Sequence, residues 1–210
     1  MILTMNQEAL TAKGKEIFPF LADFKDFYLA GGTAVALFLG HRVSADFDLF
    51  TEKEINKNLL NQVQRVFSDK KIVVSINNPD ELTVFVEGVK ITFLKYPFPV
   101  LEELANLDGL KILSLKELAV TKAYTIGRRG SLKDYIDLYF ILKSNICVLE
   151  EIVNLAIKKY DEEFNSRLFL EQLIYLADVT DTEIIFLTDR RPTKVELENF
   201  FIEKIKLIKI

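Results

Sequence analysis

The sequence is poor in the residues that build disulfide frameworks and soft-metal centres. Its 210 residues include one cysteine, one histidine and no tryptophan. A single cysteine cannot form an internal disulfide, and one cysteine with one histidine falls short of the ligand set of a structural zinc site. The scarcity of cysteine is typical of proteins of the reducing cytoplasm, where we expect this chain to reside.

Long apolar runs are also missing. No stretch approaches the roughly 20 apolar residues that a membrane-spanning helix needs, and the first residues lack the basic start and apolar centre of a signal peptide. We therefore expect no membrane association. Hydrophobic residues still make up 50% of the chain, which is typical of a globular protein with a substantial core.

A positive net charge is absent as well, since the formal charge is −4 at pH 7. This balance argues against a protein that coats nucleic acid indiscriminately. The charge is unevenly spread: residues 111–143 hold seven basic and three acidic side chains, whereas residues 144–189 hold three basic and ten acidic ones. A basic middle suits the handling of anionic groups; the alternative is a set of solvated helix faces that differ in sign.

The hydrophobic pattern predicts an α/β half followed by a helical half, with the change near residue 113. Helices are predicted over 7–22, 33–39 and 54–68, and strands over 26–30, 46–51, 71–76, 82–87, 89–96 and, more briefly, 109–112. Ser114 and Glu117 form a capping-box pattern at the start of the second half. Further helices are predicted over 115–126, 131–143, 148–160, 165–177 and 194–208, with a polar connection over 178–191. We therefore predict two domains, residues 1–113 and residues 114–210.

The stretch from Phe27 to Phe50 holds the candidate site. Gly31-Gly32-Thr33 separates a predicted strand from a short apolar helix, and glycines there allow close backbone approach to an anion at the helix start. Asp46 and Asp48 lie two residues apart on a predicted strand, so both carboxylates point to one face. Paired carboxylates suit Mg²⁺. The pattern therefore predicts a nucleoside triphosphate site; the alternative is a tight turn with two exposed acids.

Three blocks of sequence resemble a known family. The run GGTAVALFLGHRVSADFDLF from Gly31 is similar to the first motif of the AbiEii/AbiGii-type nucleotidyltransferase toxins, within the DNA polymerase beta-like superfamily. The run SLKELAVTKAY from Ser114 resembles the helix that bears the family's phosphate-contacting lysine, and RRGSLKDYIDL from Arg128 resembles its Arg-x-x-Lys-Asp-x-x-Asp-Leu motif. The three blocks together span roughly residues 27–143.

The resemblance implies an α+β fold, with a polymerase beta-like core of a small mixed sheet and flanking helices followed by a C-terminal helical bundle. It makes Asp46 and Asp48 the Mg²⁺ ligands and Lys122 a phosphate contact. The expected roles of the remaining residues are phosphate or nucleotide binding for Gly31, Gly32, Thr33, Arg129 and Lys133, and orientation or deprotonation of the acceptor for Asp134. The implied protein is a toxin that transfers a nucleoside monophosphate to an RNA end, such as that of a transfer RNA, and has a cognate antitoxin.

One departure from the superfamily pattern bears on mechanism. A third carboxylate is expected on a later strand, but residues 89–95 contain no acid, and Thr92 or Lys90 stands in its place. The role passes to Asp134 or Asp137, or deprotonation relies on metal and water, or the site binds nucleotide without turnover.

Two other functions stay open from the sequence. The first is a nucleotide-binding or protein-interaction module that has lost the chemistry. The second is a small-molecule nucleotidyltransferase acting on an antibiotic, because an acidic helical tail suits a cationic acceptor. His41 and Arg42, in the loop before the acidic strand, are interpreted as a structural histidine and a phosphate or acceptor contact.

Overall fold

A mixed β-sheet forms the centre of the molecule. Within residues 6–128 and 130–208, which the computed structural model of this protein describes, seven strands join one sheet. The strands are β1 (Tyr28–Ala30), β2 (Phe47–Thr51), β3 (Ile72–Asn77), β4 (Glu81–Val86), β5 (Val89–Lys95), β6 (Ala105–Leu107) and β7 (Leu110–Ile112). Their order is β3-β4-β5-β2-β1-β7-β6. The acidic strand β2 therefore lies in the middle, antiparallel to β1 and parallel to β5.

Helices flank this sheet and make up most of the second half. The α-helices of the described residues are α1 (Ala12–Ile17), α2 (Gly31–Leu39), α3 (Leu59–Val66), α4 (Leu115–Ile126), α5 (Leu132–Lys143), α6 (Leu149–Tyr160), α7 (Ser166–Leu173) and α8 (Lys194–Ile205). Helix α2 is short and rich in alanine, and it packs against both α4 and α5. No helix in the part of the chain described is both long and apolar enough to cross a membrane.

The predicted fold class is confirmed, with differences in particular elements. The single helix predicted over 7–22 is instead a short α1 between two 3₁₀ turns, because Pro19 cannot donate a backbone hydrogen bond inside a continuous helix. Helix α3 begins at Leu59 rather than at residue 54. Strand β6 was not predicted; it forms a hairpin with β7.

The start of α4 differs from the predicted capping box. Ser114 accepts a hydrogen bond from the Glu117 amide at 3.2 Å, as expected, but the Glu117 carboxylate turns away from the helix start. It is buried, pairs with Lys159 of α6 at 2.5 Å and accepts hydrogen bonds from the amides of Leu101 and Glu102. This buried ion pair joins α4, α6 and the loop after β5.

The hydrophobic core is continuous across residue 113. Leu29 of β1, Ile112 of β7, Leu118 of α4 and Tyr135 of α5 belong to one cluster of buried side chains. The division into domains at 1–113 and 114–210 stays a prediction.

Candidate active site

The turn from β1 into α2 lies directly against the acidic strand. Ala30 is the cross-strand partner of Asp48, so the next residue, Gly31, lies beside the Asp48 side chain. Gly31 has φ +68°, and a Cβ built there would overlap the Asp48 carboxylate. Two reasons therefore favour glycine at this position: its backbone conformation, and the space that the Asp48 carboxylate occupies.

A cavity of about 630 Å³ lies on this face of the sheet. The predicted site residues that line it are Gly31, Gly32, Thr33, Asp46, Asp48, Lys122, Lys133 and Asp134. Arg129, the remaining predicted site residue, lies outside the described residues. The structure thus brings the β1–α2 turn, the paired acids and the residues of α4 and α5 to one place, while their chemical roles stay predictions.

Thr33 positions the loop that leads into β2. Its side chain is buried, and its hydroxyl is 2.8 Å from the Ser44 hydroxyl and donates to the main-chain carbonyl of Asp46. These contacts hold the segment that carries Asp46 against the start of α2. Phosphate binding by the Thr33 hydroxyl stays a prediction.

A buried ion cluster joins the loop after α2 to helices α4 and α5. Asp137 lies at its centre and is fully buried; it accepts hydrogen bonds from Arg42 Nε at 2.7 Å and Arg42 Nη2 at 2.8 Å. Its carboxylate also lies 2.8 Å from His41 Nε2. Lys122 Nζ lies 2.7 Å from both Asp137 Oδ2 and Asp134 Oδ1. In this cluster two carboxylates balance the cations Arg42 and Lys122.

The cluster keeps Asp137 and Lys122 charged despite burial. Burial alone raises the pKa of Asp137, but the charges of Lys122 and Arg42 and the hydrogen bonds from His41 and Arg42 hold it well below its usual range. Burial alone lowers the pKa of Lys122, but Asp137 and Asp134 raise it above its usual value. Lys122 therefore stays an ammonium at the cavity wall.

Gly32 lets the Arg42 guanidinium lie beneath the start of α2. A Cβ at Gly32 would overlap Arg42 Nη2, and Arg42 also lines the cavity. The first turn of α2 carries the positive end of the helix dipole. Arg42, interpreted from the sequence as a phosphate or acceptor contact, is thus a buried cation bound to Asp137 beside the predicted phosphate site.

Thr92 occupies the position at which a third strand carboxylate was expected. It is the direct partner of Asp48 in the parallel pairing of β2 with β5, and it lines the cavity. Lys90 is not among the described residues that line the cavity. Asp137 is surrounded by its three basic partners, so it does not face the cavity. Among the described lining residues, the carboxylates beyond Asp46 and Asp48 belong to Asp134 and Glu183.

Glu183 belongs to a segment that sequence reasoning did not connect with the site. Residues 183–187, here called the strap, run alongside the loop after α2: the Val43 amide donates to the Ile185 carbonyl at 2.8 Å, and the Leu187 amide donates to the His41 carbonyl at 3.0 Å. Glu183 and Ile185 line the cavity. The apolar run at 184–187, inside an otherwise polar connection, was the signal for this extended pairing.

Solved structures with the same fold include a nucleotidyltransferase toxin and a protein from Helicobacter pylori. JHP933 from Helicobacter pylori superposes with a TM-score of 0.59 at 17% identity, covering 94% of each chain. MenT4, a nucleotidyltransferase toxin from Mycobacterium tuberculosis, superposes with a TM-score of 0.59 at 15% identity, covering 92% of this chain and 82% of its own. At these identities the likeness shows the fold, a mixed sheet with flanking helices.

The family follows from sequence comparison. Residues 15–200 match the model of the family described as the nucleotidyl transferase AbiEii toxin of type IV toxin–antitoxin systems. An uncharacterized protein of Aquifex aeolicus is 34% identical over 183 residues, which cover 86% of this chain and 87% of the relative. The chain belongs to the AbiEii nucleotidyltransferase toxin family, and the predicted family resemblance is confirmed.

Proposed function

We propose that this protein transfers a nucleoside monophosphate from a nucleoside triphosphate to a hydroxyl group at an RNA end and releases pyrophosphate. The proposal is carried by one observation: Gly31, Asp46, Asp48, Lys122 and Asp134 all line the same cavity. In the reaction the acceptor oxygen bonds to the α-phosphorus as the bond from that phosphorus to the oxygen bridging the β-phosphate breaks. Pyrophosphate leaves with the electron pair of that bond.

The triphosphate binds at the start of α2. Backbone amides of the first helical turn and the helix dipole favour an anion there. Arg42 lies beneath Gly32, and the Lys122 ammonium lines the same cavity. These two fixed cations offset the negative charge that develops on the departing pyrophosphate.

Asp46 and Asp48 would hold Mg²⁺. Both carboxylates line the cavity, and Asp48 is placed by the space that Gly31 leaves for it. The described residues contain no group of three or more metal-binding side chains; a carboxylate pair is nevertheless a common protein contribution to Mg²⁺, whose shell is completed by water and substrate phosphates. Bound there, the ion supplies charge neutralisation of the triphosphate and acidification of the acceptor hydroxyl.

Asp134 accepts the proton of the acceptor hydroxyl. It lines the cavity, and it is held by Lys122 at 2.7 Å, which fixes the direction of its carboxylate. Asp137, the alternative considered from the sequence, is enclosed by its basic partners. Glu183 of the strap is the competing cavity carboxylate, and the two are distinguished experimentally below.

The biological role follows from the family. The family description places its members in type IV toxin–antitoxin systems, so we propose that this chain is the toxin, that a cognate antitoxin counteracts it, and that transfer RNA in the cytoplasm is the acceptor. The local basic excess of residues 111–143 supports an anionic acceptor.

A transfer assay tests the proposal. The purified protein is incubated with Mg²⁺, total RNA and each nucleoside triphosphate labelled at the α- or the γ-phosphate. We expect label on RNA from an α-labelled nucleotide alone, and loss of that label in Asp48→Asn. Asp26→Asn is the matched control, since Asp26 is an exposed carboxylate paired with Lys53 at 3.4 Å.

Either of two results would contradict the proposal and favour a different function. Tight triphosphate binding with no transfer to any acceptor would indicate the inactive binding module. Transfer to a cationic antibiotic such as an aminoglycoside, but not to RNA, would indicate a small-molecule nucleotidyltransferase.

A further inference from the structure

A column of stacked flat groups contributes two members, Tyr124 and Arg128, to the cavity wall. The rings of Tyr124 and Tyr160 lie 4.0 Å apart between centroids, at an interplanar angle of 24°. The guanidinium carbon of Arg128 lies 3.5 Å from the Tyr124 ring centroid. We call Tyr160, Tyr124 and Arg128 the stacked column. Tyr124 is covered on both faces, so Arg128 is its outer end.

Hydrogen bonds to Glu163 and Tyr96 hold the column in place. The Tyr124 hydroxyl donates to the Glu163 carboxylate at 2.8 Å, and Arg128 Nη2 donates to the Glu163 carbonyl at 2.8 Å. The Tyr160 hydroxyl lies 2.8 Å from that of Tyr96. Because Glu163 binds both groups at the outer end, the plane of the guanidinium is fixed before any ligand arrives.

The column reaches the cavity that contains the proposed triphosphate site. Tyr124 and Arg128 line the same cavity as Lys122 and Asp48. Lys122 and Tyr124 belong to α4, which ends at Ile126, and Arg128 follows two residues after that end. One cavity is thus shared by the proposed phosphate contact at Lys122 and the flat group at Arg128.

The outer face of Arg128 is accessible. Its side chain is 44% exposed, although one face of the guanidinium is covered by Tyr124. A planar guanidinium stacks on aromatic groups and is weakly hydrated, so a base can displace its water readily. Among the described residues, Tyr124 is the aromatic ring that stacks on the Arg128 guanidinium, and it covers the inner face.

We propose that the nucleobase of the bound nucleoside triphosphate stacks on the outer face of Arg128 and extends the column by one layer. This inference rests on the proposed function, because it takes the triphosphate to bind at Lys122 and the start of α2. Stacking of this kind uses the face that all bases share. Arg128 therefore increases affinity for all four nucleotides and selects weakly among them.

Binding measurements test the stack separately from catalysis. Dissociation constants are measured by calorimetry in Mg²⁺ for the four nucleoside triphosphates and for inorganic triphosphate, which has no base. Arg128→Ala is expected to weaken nucleotide binding by about 5- to 100-fold and to leave inorganic triphosphate binding unchanged. Arg128→Lys keeps the positive charge but lacks the planar guanidinium group, so it is expected to behave like Arg128→Ala. Arg167→Ala is the matched control, since Arg167 is exposed and pairs with Glu171 at 2.9 Å.

The outcomes separate the stack from the transfer reaction. Equal weakening of nucleotide and inorganic triphosphate by Arg128→Ala, with recovery in Arg128→Lys, would show a phosphate contact and overturn the stack. Unchanged nucleotide binding in Arg128→Ala would overturn it as well. A protein that binds nucleotide through Arg128 but transfers nothing supports the stack and contradicts the transfer reaction. A wild type that binds no nucleotide overturns both.

Discussion

The Arg42 guanidinium binds the Asp137 carboxylate through two hydrogen bonds, of 2.7 Å and 2.8 Å, across 95 residues of sequence. This bidentate pair joins the loop before the acidic strand to helix α5. Lys122 of α4 completes the connection at 2.7 Å from Asp137. The three segments that resemble family motifs are therefore fixed to one another by charge as well as by packing.

Removing the charge of Asp137 is expected to destabilise the fold. In Asp137→Asn, two buried cations lose their shared carboxylate, and breaking a buried pair in this way typically costs about 3–5 kcal/mol. Urea unfolding followed by circular dichroism measures the loss of unfolding free energy. Asp26→Asn, which removes an exposed acid, is the control and is expected to change little. Equal stability of the two variants would contradict the role assigned to the cluster.

The contribution of Asp137 is expected to depend on pH in the acid range. Its folded pKa lies below that of an unfolded aspartate, which is about 3.9. The stabilisation is therefore present above about pH 4 and is lost as the pH falls further toward the folded pKa. The difference in unfolding free energy between wild type and Asp137→Asn should be constant between about pH 5 and 8 and shrink below pH 4. A difference that grows on acidification would contradict this assignment.

Gly31→Ala and Gly109→Ala separate backbone strain from displacement of Asp48. Both glycines have positive φ, +68° and +87°, so each alanine is expected to cost about 1–2 kcal/mol. A Cβ at Gly109 finds its nearest neighbour, Ala22 Cβ, at 3.8 Å, whereas one at Gly31 overlaps the Asp48 carboxylate. Only Gly31→Ala should reduce kcat, by about 100-fold, because Asp48 must move. Melting curves and single-turnover assays provide the two readouts, and equal activity of the variants would show that Asp48 tolerates displacement.

A comparison of Asp134→Asn with Glu183→Gln identifies the general base, the carboxylate that takes the proton of the acceptor hydroxyl. Asp134→Asn keeps an oxygen for Lys122 but cannot take a proton, so we expect kcat to fall by about 10²- to 10⁴-fold with nucleotide binding largely retained. Glu183→Gln is expected to leave kcat largely unchanged. The reverse pattern would move the base to the strap.

Short-range features of the sequence predicted much of this arrangement. Asp48 on β2 and the Ser114 cap of α4 are local patterns that appear where their spacing placed them. Asp46 just precedes β2, which begins at Phe47, and Gly31 and Gly32 are the first residues of α2 rather than a turn before it. The ion cluster could not be predicted in the same way, because nothing near Arg42 specifies a partner on α5. Glu117 shows the same limit: its local pattern indicated a capping box, and a lysine 42 residues away determined its actual contact.

The strap has a consequence for a chain emerging from the ribosome. The turn at Gly31 and the carboxylates of Asp46 and Asp48 are synthesised early, whereas the strap that completes the cavity wall follows only after α7. Domains fold as units while synthesis proceeds from the N-terminus. A partly made chain therefore holds the proposed metal ligands before the strap side of the cavity wall has been synthesised.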